Sequence, residues 1–269
     1  MKKTRKIISV LLSILMIITS VPLMAVESFA ADPVKSGTTG ECTWTLDGTV
    51  LTISGNGKME DYYKPWGKSI TEVIIENGVT SIGRGVFSDC TSLEKINVGS
   101  DNANYSSENG ILFNKAKTEL IKYPAGKTEI EYIIPDSVTK IGYLVFCDCV
   151  WLTSITIPNS VTEICQEAFS KCTSLTSITI PDSVTSLGAW AFDRCISLKS
   201  ITIPDNLTSI GYGAFYGCTS LISVTMPNGV TEIGSQTFGS CTSLTSITIP
   251  DSVTSIDESA FSGCPRLQV

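Results

Sequence analysis

Apolar and polar residues alternate in a short segment that returns many times along the chain. In residues 244–250, LTSITIP, Leu244, Ile247 and Ile249 are apolar, and Ser246 and Thr248 lie between them. Alternation with a period of two, together with β-branched residues, predicts a strand with one buried and one solvent-exposed face. The Pro-Asp-Ser sequence that follows ends the strand, because proline cannot donate to a β-ladder and Asp and Ser favour turns.

The segment recurs with a fixed period of 23 residues, which is clearest in one cysteine and one phenylalanine of each unit. The cysteines are Cys149, Cys172, Cys195, Cys218, Cys241 and Cys264. The phenylalanines are Phe146, Phe169, Phe192, Phe215, Phe238 and Phe261. A fixed period of about 20 to 50 residues is typical of a solenoid, in which each unit buries its apolar face by stacking on its neighbours.

The rest of each unit completes one coil of this solenoid. In the last unit, VTSI (residues 253–256) brings two more apolar residues inward, and ESAFSGC (residues 258–264) closes the coil. The closing segment is too short for a full helix, so we expect one turn of α-helix or 3₁₀-helix there. The predicted fold class is therefore a repeat solenoid of mostly short parallel β-strands, with turns and short helical or 3₁₀ segments.

The repeated pattern LxxIxI followed by IPxSVTxIGxxAFxxC resembles the leucine-rich repeat in its bacterial BspA-like, or Treponema-pallidum-type, subclass. The resemblance covers residues 70–269, which we assign to the leucine-rich repeat solenoid. A first copy runs from Ile70 to Cys90, with Glu76 where later units have proline. The resemblance implies surface-associated roles, such as adhesion to host matrix proteins or to other cells. It implies no catalytic centre and no cofactor.

The period is interrupted once. Cys90 and Cys149 are 59 positions apart, which is two units plus 13 residues. The excess lies in residues 104–127, where two apolar runs, 111–113 and 120–123, flank a polar stretch. This arrangement predicts a β-hairpin inserted into one coil, and a similar hairpin repeat is common in the family that the chain resembles.

Residues 31–69 differ from the repeats and are predicted to cap the first coil. Two strand-like runs, residues 44–46 and 50–54, flank Asp47-Gly48, and Asp-Gly between such runs is a strong signal for a hairpin. The segment resembles the amino-terminal part that commonly precedes these repeats in the family. A cap is needed because an exposed first coil would present apolar side chains and unpaired strand edges to water.

Residues 1–30 have the features of a signal peptide. A basic start, MKKTRK, precedes a long apolar run, and Ser28-Phe29-Ala30 supplies the small residues that a signal peptidase recognises. The alternative is an uncleaved membrane anchor, although Pro22 interrupts the run. We therefore expect a secreted or cell-surface protein with no membrane span after cleavage.

The mature chain is strongly acidic. Of 19 basic and 26 acidic residues, 4 and 1 lie in residues 1–30, which leaves a formal charge of −10. An acidic surface disfavours nucleic acid and anionic membranes as partners.

Ten cysteines in an exported chain ordinarily indicate disulfides. Here equivalent positions on adjacent coils lie about 4.8 Å apart with parallel side chains, so a bridge between them would be strained. The periodic cysteines are therefore interpreted as buried thiols that act as small apolar residues. Cys42, Cys147 and Cys165 lie outside the regular spacing, and a bridge between Cys147 and Cys165 remains open.

Catalytic and metal chemistry has little support in the sequence. The chain contains no histidine, which removes Ser/His/Asp and Cys/His nucleophiles and the usual transition-metal ligand. Paired carboxylates for glycoside cleavage remain conceivable. The acids and amides that follow the prolines are interpreted as turn residues, with a calcium-binding edge as the alternative. No catalytic, cofactor-binding or metal-binding residue is assigned.

The exposed face of the strands is the candidate binding surface, since solenoids use such a sheet as an extended, concave binding face. Two parallel rows of hydroxyl groups are expected there, from Ser154 and Thr156, Ser177 and Thr179, Ser200 and Thr202, Ser223 and Thr225, and Ser246 and Thr248. The alternative is that these residues are only soluble, strand-compatible side chains copied with the unit.

Specificity generally needs residues that do not repeat. Lys95 and Asn97 replace the Ser/Thr pair before the insertion, and Glu131 and Ile133 replace it afterwards. Two residues nearby, Lys122 and Tyr123, belong to the same candidate ligand-binding group. The competing explanation for all six residues is simple sequence drift in an irregular coil, without a dedicated binding site.

Three aromatic residues, Tyr143, Trp190 and Tyr212, fall in the GxxAF segment on the opposite side of the coil. They could stack on sugar rings or a partner, or simply pack locally.

Together these observations predict an exported, non-enzymatic binding protein for extracellular protein or glycan ligands, including host matrix. A structural spacer or envelope-lattice role without a ligand is the first alternative, and a polysaccharide-active enzyme is the second. Oligomeric state is not determined by the sequence.

Overall fold

Each repeat forms one coil with two short strands connected by turns. The computed structural model describes residues 35–268, all within one compact unit, Pro33–Val269. The predicted signal peptide, residues 1–30, lies outside the described residues. Within the described part, no helix is long and apolar enough to cross a membrane.

The first strand of each coil comes from the LxxIxI segment. We call this set the first strand row: β3 (Val50–Gly55), β5 (Glu72–Ile75), β7 (Lys95–Val98), β11 (Glu131–Ile133), β13 (Ser154–Thr156), β15 (Ser177–Thr179), β17 (Ser200–Thr202), β19 (Ser223–Thr225) and β21 (Ser246–Thr248). Paired neighbours in this row are parallel, as in β15 with β17. The central residue of each three-residue strand points inward, and its two neighbours are exposed.

The second strand comes from the VTxI segment. The second strand row contains β4 (Gly57–Lys58), β6 (Val79–Ser81), β10 (Glu119–Lys122), β12 (Lys140–Ile141), β14 (Glu163–Ile164), β16 (Ser186–Leu187), β18 (Ser209–Ile210), β20 (Glu232–Ile233) and β22 (Ser255–Ile256). From β10 to β18 these strands form a continuous parallel ladder. The solenoid of short parallel strands is therefore confirmed.

The GxxAFxxC segment, which we call the corner, forms hydrogen-bonded turns, so the predicted helical or 3₁₀ turn is wrong. The physical reason is a left-handed residue two positions before the phenylalanine and another two positions after it, which a right-handed helix cannot contain. Around Phe169 these are Glu167 (φ 57°) and Lys171 (φ 59°). Most of these positions hold residues other than glycine, so neither composition nor propensity signals them.

The core is a column of residues contributed once by every coil. The phenylalanines from Phe146 to Phe261 stack with nearly parallel rings, and neighbouring ring centroids are 4.9–5.6 Å apart. Each such aromatic pair contributes about 0.5–1.5 kcal/mol beyond the burial of its surface. Regular repetition thus converts one favourable side-chain contact into a ladder of equivalent contacts.

All ten cysteines lie among the described residues, and all are free thiols. Cys147 and Cys165 form no bridge. From Cys172 to Cys264, each thiol of the regular spacing donates to the backbone carbonyl of the phenylalanine in the previous coil, at 3.0–3.2 Å. The cysteine is therefore more than a small apolar residue, because its S–H group satisfies a buried acceptor.

The insertion adds two strands, β8 (Tyr105–Glu108) and β9 (Ile111–Asn114), which join β10 in an antiparallel meander. Three consecutive residues of β9 are buried. Ile111 and Phe113 pack in one hydrophobic cluster, and Leu112 packs in a second. Strand β9 therefore separates an amino-terminal core from the core of the regular coils.

The amino-terminal strands β1 (Lys35–Thr39) and β2 (Cys42–Asp47) pair antiparallel with each other and with β3, which pairs parallel with β5. The turn between β2 and β3 differs by one position from the expectation. Asp47 is the last strand residue and pairs with Val50, so that Gly48 and Thr49 form the turn. Gly48 has φ 56°, a conformation that glycine adopts without strain.

Candidate ligand-binding face

The first strand row exposes all ten predicted hydroxyl residues. Ser and Thr of β13, β15, β17, β19 and β21 are solvent-exposed. Where strands pair, equivalent residues lie in register, as with Ser177 opposite Ser200 and Thr179 opposite Thr202. Two rows of hydroxyl groups follow from this register, since a period of two places both on one face.

The hydroxyl rows include a shallow depression. Strands β13 and β15 are not joined by a ladder, although each has a partner on its other side. A cavity of about 370 Å³ lies there, lined by Ser154, Thr156, Ser177 and Thr179 among others. The face is therefore able to offer clustered hydroxyl donors and acceptors to a ligand.

Lys95 and Asn97 are exposed on β7, where both contact Glu72 of the neighbouring strand. The Lys95 Nζ atom lies 2.9 Å from one Glu72 carboxylate oxygen, and the Asn97 amide donates to the other at 2.8 Å. Lys95 and Asn97 also line a depression of about 490 Å³ with Lys127 and Glu129. This part of the face is charged, in contrast to the hydroxyl rows.

The acid Glu129 in this depression is held in its ionised form. Its carboxylate accepts a hydrogen bond from the Lys127 Nζ atom at 2.8 Å, and this bond lowers the pKa of Glu129 below its ordinary value. An ionised acid and two lysines therefore lie together beside Asn97 at neutral pH.

Glu131 and Ile133 of β11 are both exposed, opposite Ser154 and Thr156 of β13. Ile133 is 73% exposed, the largest value among the exposed large hydrophobic residues of the described chain. Four of the six non-repeating candidates, on β7 and β11, thus lie on the first strand row.

The other two candidates, Lys122 and Tyr123, are buried, and their placement on the binding surface is wrong. Lys122 is 4% exposed and Tyr123 is 1% exposed. Tyr123 occupies the position that phenylalanine holds in regular coils, with its ring centroid 5.4 Å from that of Phe146. Burial raises the pKa of the Tyr123 hydroxyl above its ordinary value.

Sequence reasoning overlooked an apolar patch at the edge of the same face. Trp151 is 53% exposed and Ile130 is 58% exposed, and Val150 is exposed as well. The Thr153 N–H group donates to the Ile130 carbonyl at 2.8 Å, so the two segments are adjacent. The signal was present in the sequence, because the repeated CTSL becomes CVWL at residues 149–152.

The corner aromatics are partly engaged in local packing. The rings of Trp190 and Tyr212 meet edge to face with centroids 4.6 Å apart, and the Tyr212 hydroxyl donates to Gln236 at 3.0 Å. Tyr143 lies under the guanidinium group of Arg84, whose Cζ atom is 4.8 Å from the ring centroid.

Several solved structures are similar to this chain. A leucine-rich repeat protein from Eubacterium ventriosum matches with 26% identity and a TM-score of 0.57, covering 87% of this chain and 96% of that one. The T. pallidum leucine-rich repeat protein matches with 25% identity and a TM-score of 0.50, covering 87% and 91%. The pneumococcal vaccine antigen PcpA, at 16% identity and a TM-score of 0.57 over 82% and 87%, shares the fold.

Among curated protein sequences, none matches the chain significantly. The family model described as the BspA type leucine rich repeat region matches residues 61–134 and 139–268, in six copies. A solenoid of this kind is typically a non-catalytic binding scaffold, and these repeats extend over most of the described residues. The chain belongs to the BspA-type leucine-rich repeat family.

Proposed function

We propose that the protein is exported and binds an extracellular protein or glycan through its first strand row, in adhesion or in contact with a host or another cell. The observation that carries the proposal is the change of surface chemistry along the first strand row. Uniform hydroxyl rows on β13–β21 give way to charged and apolar side chains on β7, on β11 and in the segment that precedes β13.

The chemistry of this face suits a macromolecular ligand. Exposed Trp and Ile side chains supply apolar contact area, and binding energy in protein interfaces concentrates in a few such residues. The Lys95, Lys127 and Glu129 charges border the same region and would orient a partner. Export is supported by the sequence of residues 1–30 alone.

The test is a binding screen of the purified protein against immobilised matrix proteins and glycans. Trp151→Ala and the double variant Lys95→Ala/Asn97→Ala are compared with Ser220→Ala and Ser200→Ala/Thr202→Ala, which change equivalent positions in regular coils. We expect Trp151→Ala and the Lys95→Ala/Asn97→Ala double variant each to weaken binding about tenfold or more, since interface anchors contribute about 2 kcal/mol or more each. The two control variants should bind as the unmodified protein does.

Equal loss in both pairs would place the binding in the uniform rows and contradict the role of the non-repeating end. Absence of saturable binding across the screen would favour a structural spacer and overturn the proposal.

A further inference from the structure

The coil that carries the insertion is also shortened at its corner. In the next coil, five positions separate Ile141 of the second strand row from Phe146. In the insertion coil, only three separate the paired residue Leu120 from Tyr123, which takes the place of phenylalanine. Two residues of the corner are therefore missing, between coils whose corners are complete.

The missing residues leave a recess. A cleft of about 450 Å³ lies between the corner residues 82–88 of one coil and residues 142–144 of the coil beyond the insertion. Its volume is within the range of about 300–1,000 Å³ that small-molecule sites occupy. Tyr105 of β8 also lines the cleft, and its hydroxyl accepts a hydrogen bond from the Ile82 N–H group at 3.0 Å.

Lys122 lines this cleft with a buried positive charge. In regular coils, the corner carbonyls accept hydrogen bonds from backbone N–H groups of the preceding coil. Here the Lys122 Nζ atom takes over this role for the Cys147 carbonyl oxygen, to which it donates at 3.3 Å, and it also donates to the Leu144 carbonyl oxygen at 3.0 Å. An ammonium group has three donors, so one remains.

No carboxylate within residues 35–268 forms an ion pair with Lys122. A buried charge without a counter-charge is unfavourable by several kcal/mol unless other groups compensate. Arg84 and Lys140 also line the cleft, and Glu119 is its one acidic lining residue. Lys140 is paired at 3.3 Å with Glu163 outside the lining. In a chain with an acidic surface, the cleft thus has a local excess of positive charge.

The remaining lining includes groups that both donate and accept hydrogen bonds. The Asn104 and Thr80 side chains, beside the Tyr143 ring, form no hydrogen bond among the described contacts. The Asn114 and Ser88 side chains also line the cleft but are already bonded within the protein, Asn114 to Thr118 and Ser88 to Gly85. Amides and hydroxyls of this kind match the adjacent hydroxyl groups of a sugar, whereas a guanidinium group binds a carboxylate through two parallel hydrogen bonds.

We infer that this cleft binds a sugar acid, a hydroxylated ring that carries one carboxylate, with the carboxylate directed to Arg84 and Lys122 and the hydroxyl groups to Asn104 and Thr80. The site uses the second strand row and the corners, so it is independent of the ligand-binding face proposed above.

The test is isothermal titration of the purified protein with glucuronic acid, with glucose as the neutral analogue and succinate and inorganic phosphate as anions without the sugar ring. We expect glucuronic acid to bind at least about tenfold more tightly than the other three, because a hydrogen bond to a charged group contributes about 1.5–3 kcal/mol. Arg84→Gln should weaken glucuronic acid binding by about tenfold or more.

Tyr143→Ala should weaken binding too, and its matched control is Tyr212→Ala, which changes the equivalent position three coils away, outside the cleft. Lys122→Met would also remove two hydrogen bonds that stabilise the fold, so its effect on binding could not be separated from an effect on folding. The test therefore uses the Arg84 and Tyr143 variants. No saturable binding of glucuronic acid, or equal binding by Arg84→Gln, would overturn the site. Succinate or phosphate binding as tightly as glucuronic acid would overturn the sugar assignment.

Discussion

The regular coils from β13 onward and the insertion coil pack the same kind of core by different means. In the regular coils, backbone N–H groups and cysteine thiols of neighbouring coils satisfy the buried corner carbonyls. In the insertion coil, the Tyr123 N–H group still donates to the Val145 carbonyl at 3.1 Å, but the corner is too short to supply the other donors. The side chain of Lys122 donates to the Cys147 and Leu144 carbonyls instead. Perfect repetition thus keeps charge out of the interior, whereas one irregular coil brings charge in.

The cysteine column is interrupted at the insertion coil for a steric reason. Gly126 occupies the position that cysteine holds in regular coils, three residues after the stacked aromatic ring. A β-carbon there would lie 2.5–2.8 Å from backbone atoms of Ser92 and Leu93, which is too close for any side chain. The irregular coil is therefore packed backbone against backbone where the regular coils insert a thiol.

The largest expected difference between the regions is in their response to alkaline pH. Burial raises the pKa of the Cys149, Cys172, Cys195 and Cys218 thiols. Above the unfolded pKa of about 8.5, the unfolded chain releases protons that the folded chain retains, so stability decreases as pH rises. Each thiol whose folded pKa lies above this range should lower the free energy of unfolding by about 1.4 kcal/mol per pH unit. The four together should therefore lower it by at most about 5 kcal/mol between about pH 9 and pH 10.

Urea unfolding at several pH values measures this slope. Replacing all four thiols with alanine should remove their share of the slope and leave the share of the other buried thiols, such as Cys147, Cys165 and Cys241, whose pKa is raised as well. Cys90→Ala, in the amino-terminal core, should remove only the share of one thiol. An unchanged slope in the fourfold variant would mean that the buried thiols are not the groups that titrate on unfolding.

The next effect concerns the two hydrophobic cores. Phe192→Ala should destabilise the regular coils by about 3–5 kcal/mol, as is usual when a buried phenylalanine is truncated. Because coils interact chiefly with their neighbours, hydrogen exchange should increase in β15–β21 more than in β2, β3 and β5. Phe87→Ala, in the amino-terminal cluster beside Trp66, should produce the reverse distribution. A uniform increase in both variants would show that the two cores open together.

The sequence predicted the regular coils better than the irregular coil for a physical reason. A repeat of 23 residues locates each strand, and side chains along a strand alternate between the core and water. The exposure of Ser177 and Thr179 follows directly from these two periods. Lys122 is buried because the corner of its coil is shortened. The sequence alone does not reveal this shortening, which can be recognised only once Glu119 is known to pair with Lys140. Trp151 could have been found as a departure from the repeated CTSL. The serines at the equivalent positions of the regular coils are partly exposed, so a much larger side chain there must project into solvent.

The smallest expected effect tests the left-handed residues of the corners. Ser240 in the regular coils has φ 60° without a side-chain hydrogen bond among the described contacts, and Asp89 has the same φ at the equivalent position of the amino-terminal part. Ser240→Gly should stabilise the protein by about 1 kcal/mol, since glycine adopts this conformation without strain. Asp89→Gly should change stability little, because it also removes the ion pair with Lys64, whose Nζ atom lies 2.6 Å from the carboxylate.

The effect of Asp89→Gly should depend on pH. The Lys64 hydrogen bond lowers the pKa of Asp89, so the ion pair and its contribution to stability should be lost at acidic pH, where Asp89→Gly would become stabilising as well. Urea unfolding at neutral and acidic pH distinguishes the two contributions, and equal stabilisation by both variants at neutral pH would show that the ion pair contributes nothing.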